Sequence, residues 1–420
     1  MRIVVVTYGT EGDTRPLAAL CRSLIDTGEE TLLLADAATL GSADDLGVPS
    51  APLAGDIRTA VAAAGSARST RGPGRFDATA STLARIAQDH ATTWMSQILE
   101  AAIGADALII AGLASYVGFA AAEKADVPAI AASLIPLTPT SEFGSPFLPP
   151  RPLPRWLNRP GYWLVSRAIW RAFRGSTDAA RADVGLPPGR PLSTDHPVIY
   201  GISPTLLPRP ADWPAQTWLC GQWVQPVQDW AAPRPLQDFL DAGEPPIYVG
   251  FGSMAGLDRG ALLDALVTAI AGRRAIFNPG WSTARAVQLP DNFHVIGDAP
   301  HDWLFPRMSM IIHHAGSGTT HSAARSGKPS IALPFAADQF FWAGRLQQLG
   351  IAPRISGAGK VTAAELSAAI TAAGSDTMRT RAADVGARMR AEDGSATAVR
   401  IVRHLLGARQ QTVPETGVDG

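Results

Sequence analysis

The 420-residue chain has little cysteine, little net charge and no long apolar run, and each shortage argues against a class of protein. Its two cysteines, Cys21 and Cys220, lie far apart and do not fit a disulfide scaffold or a cysteine-rich metal site. The net charge is −1 and no cluster of Lys and Arg is interleaved with aromatics, so nucleic-acid binding has no support. No apolar run approaches the roughly 18 residues that a membrane span needs, which leaves at most peripheral membrane contact.

The chain starts with a strand pattern at residues 2–8 rather than with the basic start, longer apolar core and small-residue cleavage site of a secretory signal. Together with the few cysteines, this pattern predicts a cytoplasmic protein. No acidic Asp-X-Asp motif of the metal-binding kind stands in a suitable loop. We therefore expect no metal ion at such a motif. We also expect no bound cofactor.

Short apolar runs alternate with helical patterns along the chain, and this alternation predicts parallel sheets. The strands predicted in the first half are residues 2–8, 31–35, 107–111, 129–133 and 198–202, with helices near 15–26, 80–103 and 115–124. Those predicted in the second half are residues 247–250, 275–277, 294–296, 310–313 and 330–333, with helices near 259–271, 319–326, 339–349 and 377–406. The predicted fold class is α/β, with two Rossmann-like doubly wound domains that bind ligands outside the carboxyl ends of their strands.

The length suits two domains of roughly 200 residues each. The stretch 203–246 has many prolines and several tryptophans without helix or strand periodicity. The predicted organisation is a first domain at 1–205, a linker at 206–243, a second domain at 244–405 and a flexible tail at 406–420. A Gly/Ser/Arg-rich stretch at 65–75 is predicted to be a mobile loop.

Residues 311–339 carry the most informative pattern of the chain. A buried strand pattern ends at His313 and His314, and the helix that follows opens with Gly316, Ser317, Gly318 and Thr319. Small residues expose backbone N–H groups at a helix start, where the helix dipole favours an anion such as phosphate. One strand later, Asp338 and Gln339 offer oxygens and an amide group that suit sugar hydroxyls.

Each of these features also has a purely structural interpretation. Residues 316–319 fit an ordinary tight strand-to-helix turn, and Asp338 fits a helix N-cap. Paired histidines at a strand end favour the binding interpretation, because buried imidazoles need hydrogen-bond partners.

Together these residues resemble the C-terminal signature of family-one glycosyltransferases of the GT-B fold. The resemblance is strongest to the bacterial branch that decorates natural-product aglycones and to the sterol glucosyltransferases. Further segments of likeness are residues 251–254, 300–306, 343–350 and the first loop, 9–13. The resemblance spans residues 1 to about 405 and implies two Rossmann-like domains that face each other across a cleft.

The resemblance implies an inverting transferase that moves a hexose from UDP-glucose, or from a dTDP-sugar, to a hydroxyl of a hydrophobic polyketide, macrolide, steroid or flavonoid. His314 or His313, the amides of residues 316–319 and the Ser253 hydroxyl would stabilise the diphosphate without a metal. Asp338 and Gln339 would hold the sugar. Asp13, at the carboxyl edge of the first sheet, is the candidate catalytic base, with an N-cap as its structural alternative.

The chain departs from the wider family at three positions. Ser322 stands where the plant branch has a ribose-binding glutamate, and Asp298 stands where that branch stacks a tryptophan on the base, so UDP and dTDP both stay open. Glu11 stands where the matched branch commonly has arginine. Its carboxylate is expected to raise the pKa of the nearby Asp13.

Aromatic residues between 141 and 173 are the candidates for an acceptor pocket. Phe143 and Phe147, in a proline-rich loop, are predicted to line it. Trp156, Trp163 and Trp170 are spaced by seven residues, which fits either the pocket or a helix that packs one stripe on the core.

Two other functions compete with glycosyl transfer. A nucleotide-sugar epimerase or hydrolase of the same fold would share the diphosphate site but would need no apolar acceptor wall. A catalytically degenerate helper subunit is the second alternative, and Glu11 is its best support.

Overall fold

The computed structural model describes residues 1–60, 75–148, 150, 154–192, 195–224, 230–252, 259–280 and 289–410. In these ranges the chain forms two parallel β-sheets, which confirms the predicted α/β class. The first sheet contains β1 (Arg2–Val6), β2 (Glu30–Asp36), β3 (Ser50–Leu53), β4 (Ala107–Ile110), β5 (Ala129–Ser133), β6 (Val198–Tyr200) and β7 (Thr217–Leu219). Its strand order is β3-β2-β1-β4-β5-β6-β7, and every neighbouring pair is parallel.

The second sheet contains β8 (Ile247–Gly250), β9 (Ala275–Asn278), β10 (Phe293–Val295), β11 (Met310–His313) and β12 (Ser330–Ala332). Its order is β10-β9-β8-β11-β12, again with parallel pairs only. In both sheets the strand order reverses next to the first strand, and the crevice at such a switch point is where parallel α/β sheets bind ligands.

Helices connect the strands of both sheets. Those of the first half are α1 (Glu11–Asp26), α2 (Gly41–Asp44), α3 (Arg75–Ala101), α4 (Ser115–Ala125) and α5 (Asn158–Asp183). Those of the second half are α6 (Arg234–Asp241), α7 (Arg259–Ile270), α8 (His301–Leu304), α9 (Ser317–Arg325), α10 (Gln339–Gln348), α11 (Ala363–Ala373), α12 (Asp376–Arg390) and α13 (Gly394–Gln410). None of the helices in the described ranges is both long enough and apolar enough to cross a bilayer.

Strand β7 and helix α6 lie inside the stretch 206–243, which the sequence predicted as linker alone. Neither is visible as a periodic pattern, because β7 has only three residues and α6 only eight. The helical tract predicted at 377–406 is two helices, α12 and α13, with a break before Gly394. The stretch 61–74, which holds most of the predicted mobile loop, and the tail from 411 onward lie outside the described residues.

The three tryptophans spaced by seven residues, in α5 and the turn before it, are only partly buried. Trp170 is 8% exposed and belongs to the core, whereas Trp156 and Trp163 are 72% and 64% exposed. The segment is helical from Asn158, but the interpretation of a stripe packed on the core holds only for Trp170 and is wrong for Trp156 and Trp163.

The C-terminal helix α13 packs on the first sheet. Its residues Ala398, Val399 and Val402 share one buried cluster with Ile3 of β1 and Leu17 of α1. The first residue of α13, Gly394, lies very close to another part of the backbone. A Cβ added there would lie 2.4 Å from the Gln222 carbonyl oxygen. Only glycine lets the start of this helix pass so close to the 221–222 backbone.

We expect Gly394→Ala to lower the free energy of unfolding by about 1–3 kcal/mol, because the added methyl overpacks the seam between α13 and the first domain. Gly407→Ala lies in the same helix and meets no atom within 4 Å, so it is the matched control. The control should leave the stability unchanged or raise it by up to about 1 kcal/mol. Urea unfolding followed by circular dichroism measures the stability of both variants. Equal effects would contradict the close contact of Gly394 with the 221–222 backbone.

Candidate functional site

The turn between β11 and α9 exposes the start of a helix at the edge of the second sheet. Ala315 adopts a left-handed φ of +64°, Gly316 is the N-cap, and α9 begins at Ser317 rather than at the predicted Thr319. Gly316 has no side chain that could cap the helix, and no side chain among the described residues accepts a hydrogen bond from its first N–H groups. Open N–H donors and the positive end of the helix dipole at such a helix start favour an anion.

His313 and His314 both lie beside this helix start, but in different environments. His313 is completely buried and accepts the Ala315 N–H at Nδ1 (3.1 Å), so its proton sits on Nε2. Its Nε2 and the Nδ1 of His314 are buried without a hydrogen-bond partner among the described residues. Burial lowers the pKa of His313 to about 3 and that of His314 to about 4, so both imidazoles are neutral at pH 7.

Glycines form the walls around the His314 ring. A Cβ added at Gly316 would lie 2.5 Å from its Nε2, and one at Gly252 would lie 3.1 Å from its Cε1. Gly252 itself, with a φ of +58°, touches Gly280, where an added Cβ would meet the Gly252 oxygen at 2.0 Å. Ser253, the other predicted diphosphate residue after β8, lies outside the described residues.

The hydroxyls around the start of α9 join the two halves of the chain. Ser317 Oγ donates to the carbonyl oxygen of Leu134 in the loop after β5 (2.7 Å), so its hydroxyl is engaged and its backbone N–H is what faces an anion. Ser322, at the family's ribose position, accepts a hydrogen bond from Gln222 Nε2 (3.1 Å). Thr319 and Gly318 are partly exposed on the first turn.

Asp13 lies on the first turn of α1, just beyond the carboxyl end of β1. Thr10, not Asp13, is the N-cap, and the Thr10 N–H and hydroxyl both donate to Asp13 Oδ2, at 2.8 and 3.2 Å. Asp13 therefore stabilises the helix start through a capping box, while Oδ1 keeps no hydrogen bond within the described chain. Burial raises the pKa of Asp13, and the Thr10 hydrogen bonds oppose that rise. The charge of Glu11 is not among the causes, contrary to the expectation.

Asp338 and Gln339 lie at the start of α10 behind Ala337, which has a left-handed φ of +51°. Asp338 occupies the N-cap position, yet its side chain does not cap the helix and instead accepts Trp342 Nε1 (2.9 Å). Gln339 Oε1 accepts the N–H groups of Phe335 and Ala336, at 2.9 and 3.2 Å. Within the described residues, the Gln339 amide NH₂ and the second Asp338 oxygen, Oδ1, make no hydrogen bond to another side chain.

Carboxyl groups in one half of the chain have pKa values that depend on charges in the other half. Burial raises the pKa of Asp338 to about 6, and the negative charge of Asp13 adds to this rise. Burial also raises the pKa of Glu11, with Arg15 opposing it and Asp298 adding to it. Asp13 and Asp338 therefore lie near each other across the gap between the two halves, as the predicted cleft requires.

The loop that carries the candidate acceptor residues also contacts the second half. Phe143 packs against Phe341 of α10, with ring centroids 5.2 Å apart. Phe341 lies two residues after Gln339, so this loop touches the helix that presents the candidate sugar-binding side chains. Phe147 is partly buried in the same loop.

Two histidines of the site escaped the sequence analysis. His321 is buried in α9, where its Nδ1 donates to the Ser317 carbonyl (2.8 Å) and its Nε2 accepts the Ser203 N–H (3.2 Å), which ties α9 to the first half. Burial lowers the pKa of His301 to about 3, and Arg15 and His314 lower it further, so His301 lies beside the predicted pair. The sequence feature that could have indicated His301 is the family-like segment 300–306, which contains it. No group of three or more His, Cys, Asp or Glu suited to a metal ion occurs in the described ranges.

Sequence comparisons agree with this geometry. Residues 274–405 match the family described as "Erythromycin biosynthesis protein CIII-like, C-terminal domain". The chain is 34% identical to the vancomycin aglycone glucosyltransferase of Amycolatopsis orientalis, over 98% of this chain and 100% of that protein. It is 30% identical to the sterol 3-beta-glucosyltransferase UGT80B1 of Arabidopsis thaliana, over 96% of this chain and 68% of that protein.

Solved structures show the same architecture. The glycotransferase of kitacinnamycin has a TM-score of 0.73 at 18% identity, over 96% of this chain and 99% of that one. The glycosyltransferase VinC in complex with DTDP has a TM-score of 0.66 at 18% identity, over 97% of this chain and 100% of that one. The fold and the site thus define a glycosyltransferase of the GT-B class. The chain belongs to family one of these enzymes, together with the natural-product and sterol glucosyltransferases.

We expect Gly316→Ala to push the His314 ring away from the start of α9, because the new Cβ would overlap Nε2, and to cost about 1–3 kcal/mol of unfolding free energy. Gly318→Ala, two residues later, meets no atom within 4 Å and should leave the stability unchanged or slightly higher. Urea unfolding compares the two variants. If Gly316→Ala is as stable as Gly318→Ala, His314 does not lie over Gly316.

Proposed function

We propose that this glycosyltransferase moves a hexose from a nucleotide diphosphate sugar to a hydroxyl of a hydrophobic small molecule, with inversion and without a metal ion. UDP-glucose is the favoured nucleotide sugar, with a dTDP-sugar as the alternative. Two relatives are named glucosyltransferases, which supports glucose, and VinC is described with DTDP, which keeps thymidine nucleotides open. The acceptors in the relatives' names, an aglycone and a sterol, support a hydroxylated hydrophobic acceptor.

The observation that carries the proposal is a pair of buried imidazole nitrogens on the two histidines beside the start of α9. These atoms, Nε2 of His313 and Nδ1 of His314, have no hydrogen-bond partner in the part of the chain that the structure describes. A buried N–H without a partner costs about 1–3 kcal/mol, so such a group persists where a ligand satisfies it. A diphosphate oxygen fits this role, because the backbone N–H groups at the helix start and the neutral His314 all donate to it. The absence of a side chain at Gly252 and Gly316 lets the His314 ring lie close against both backbones, beside the helix start.

Charge develops on the diphosphate as the sugar leaves, and the helix start stabilises that charge without rearrangement. The acceptor oxygen forms the new bond to the anomeric carbon while the carbon–oxygen bond to the diphosphate breaks, and the bonding electrons leave with the nucleotide. The acceptor proton goes to Oδ1 of Asp13, the carboxylate oxygen that Thr10 does not engage. Attack opposite the leaving group makes a β-linked product from an α-linked sugar in one displacement.

The sugar lies between the two halves in this proposal. One oxygen of Asp338 accepts sugar hydroxyls and the Gln339 amide donates to them, because their other polar atoms are held by Trp342 and by the 335–336 backbone. The acceptor enters past Phe143 and Phe147, whose loop already touches α10. The epimerase or hydrolase alternative and the helper alternative have no support from the named relatives.

We expect Asp13→Asn to lower kcat by about 10²–10⁴-fold and to leave nucleotide affinity nearly unchanged at pH 7.5. The asparagine oxygen still accepts the Thr10 N–H, so the helix start stays folded. Product formation by mass spectrometry and UDP affinity by calorimetry measure the two effects.

His314→Ala is the contrasting variant for this experiment, since it should weaken both UDP binding and kcat/KM, the latter by on the order of 10²-fold. Equal loss of turnover and UDP affinity in Asp13→Asn would argue against its role as base. A reaction without acceptor serves as control, and rapid epimerisation or hydrolysis of UDP-glucose there would favour the alternative enzyme class.

Binding of the nucleotide sugar should weaken as the pH falls through about 6. The pKa of Asp338 is raised to about 6, so its carboxylate is present above that pH and protonated below it. Because the charge of Asp13 contributes to this rise, Asp13→Asn should move the midpoint to lower pH. Calorimetry of UDP-glucose between pH 5 and 8 tests this.

Free UDP lacks the sugar and is the control for the pH series, since its affinity should not share the midpoint near pH 6. If the pH midpoint of UDP-glucose binding is the same in the wild type and in Asp13→Asn, the charge of Asp13 does not affect Asp338. The two carboxylates then do not share one cleft.

A further inference from the structure

The start of helix α5 and the turn before it carry the largest exposed apolar side chains among the described residues of the first half. Trp156, in the turn Arg155–Leu157, is 72% exposed, and Trp163 and Leu164 of α5 are 64% and 59% exposed. Indoles this exposed are unusual, since tryptophan is among the residues that gain most from burial. These side chains therefore point to an occupant outside the chain.

The same segment is rich in arginine and free of acidic residues. From residue 143 to residue 177 the sequence contains no Asp or Glu, and the arginines of the described part are Arg155, Arg159, Arg167, Arg171 and Arg174. Arg159 pairs with Asp212 and Arg174 with Asp178. Within the described residues, the other three have no carboxylate partner. The Arg167 guanidinium instead lies over the Trp163 ring, 5.3 Å from its centroid.

The apolar and cationic side chains share one outward side. One exposed row, spaced by four residues, consists of Arg155, Arg159, Trp163, Arg167 and Arg171. The next exposed row consists of Trp156, Pro160, Leu164, Ala168 and Ala172. The inward side is buried through Asn158, Tyr162, Trp170 and Phe173. The exposed rows together are called the α5 face below.

The shape and charge of the α5 face decide between occupants. It is about 25 Å long and one helix wide, roughly 250 Å², against the ~800 Å² that each partner buries in a stable protein interface. Tryptophan and leucine beside unpaired arginines match the boundary between lipid headgroups and acyl chains, where indoles insert and guanidinium groups meet lipid phosphates. We propose that the α5 face docks on the surface of a bilayer that contains anionic lipid.

The docked face lies next to the candidate acceptor loop. Asn158 Nδ2 at the start of α5 donates to the Ser141 carbonyl (2.9 Å), and a Cβ added at Gly161 would lie 3.1 Å from Leu148. The same loop carries Phe143, which reaches α10 across the gap. On the basis of the proposed function, docking brings the acceptor entrance to the membrane, where a hydrophobic acceptor is concentrated.

Flotation with lipid vesicles tests the docking. The full-length protein is mixed at low salt with vesicles of phosphatidylcholine alone, or of phosphatidylcholine with an equal part of phosphatidylglycerol. We expect it to float with the anionic vesicles, to stay behind with the neutral ones, and to lose binding at 1 M salt, where the Debye length falls to about 3 Å. Equal flotation with both vesicle types, or none with either, overturns the proposal.

Two double variants locate the surface. The first variant, Trp156→Ser with Trp163→Ser, removes the exposed indoles. The second, Arg167→Ala with Arg171→Ala, removes two positive charges and should lower the partitioning of the protein onto anionic vesicles about 25-fold, at roughly fivefold per arginine. The matched controls lie elsewhere on the surface. They are Ile103→Ser, whose side chain is 75% exposed, and Arg273→Ala with Arg388→Ala, both at exposed positions.

Docking through the α5 face is supported if the control variants float as the wild type does and both α5 variants no longer float with the vesicles. Equal loss in variants and controls overturns it, as does a wild-type dimer that the α5 variants convert to monomer, because a second copy would then cover this surface. Circular dichroism melts confirm that each variant is folded. Asp13→Asn should float normally, so a failure of the proposed catalytic role is distinguishable from a failure of docking.

Discussion

The start of helix α9 is the contact on which the rest of the site depends. Its backbone N–H groups stay open at the edge of the second sheet, while the Ser317 hydroxyl donates to Leu134 of the first half. One turn later His321 accepts the Ser203 N–H. A single helical turn thus presents the anion site and fixes its distance from the first half. Changes in the spacing of the two sheets therefore also change the site.

Burial gives the polar groups of this cleft their chemical character. The imidazoles of His313 and His314 lose their charge, because a buried cation is costly, and they become neutral hydrogen-bond donors. The carboxyl groups of Asp13 and Asp338 shift in the opposite direction, toward higher pKa, for the same reason. One dielectric environment therefore yields neutral donors and a more basic carboxyl group, that of Asp338, in the second half, and another such carboxyl group, that of Asp13, in the first half.

At Asp13 and Asp338, the helix-capping position and the proposed role in the site do not exclude each other. Asp13 completes a capping box with Thr10 through one oxygen and keeps the other free. Asp338 stands at an N-cap position, but its side chain holds Trp342 instead of the helix end. The sequence offered these as alternatives because a residue type and its position along a helix do not reveal which atom of a side chain is engaged.

The predictable parts of the fold were those that depend on local pattern. Strands β5, β8 and β11 have the predicted bounds, since short apolar runs between turn residues suit buried parallel strands. Strand β7 and the division of the last helical tract were not predictable in this way. A three-residue strand is defined by the neighbour it pairs with, and the break before Gly394 is set by a backbone more than 170 positions earlier in the sequence.

By itself the sequence determined the two parallel sheets, the small residues at the start of α9 and the kinds of side chain at the site, because strand and helix patterns and turn chemistry are local. The tertiary structure alone decided that Ser317 binds the first half, that the like charges of Asp13 and Asp338 interact, and that Trp163 is exposed while Trp170 is buried. Hydrogen bonds, pKa values and exposure depend on what lies nearby in space, and distant segments supply those neighbours.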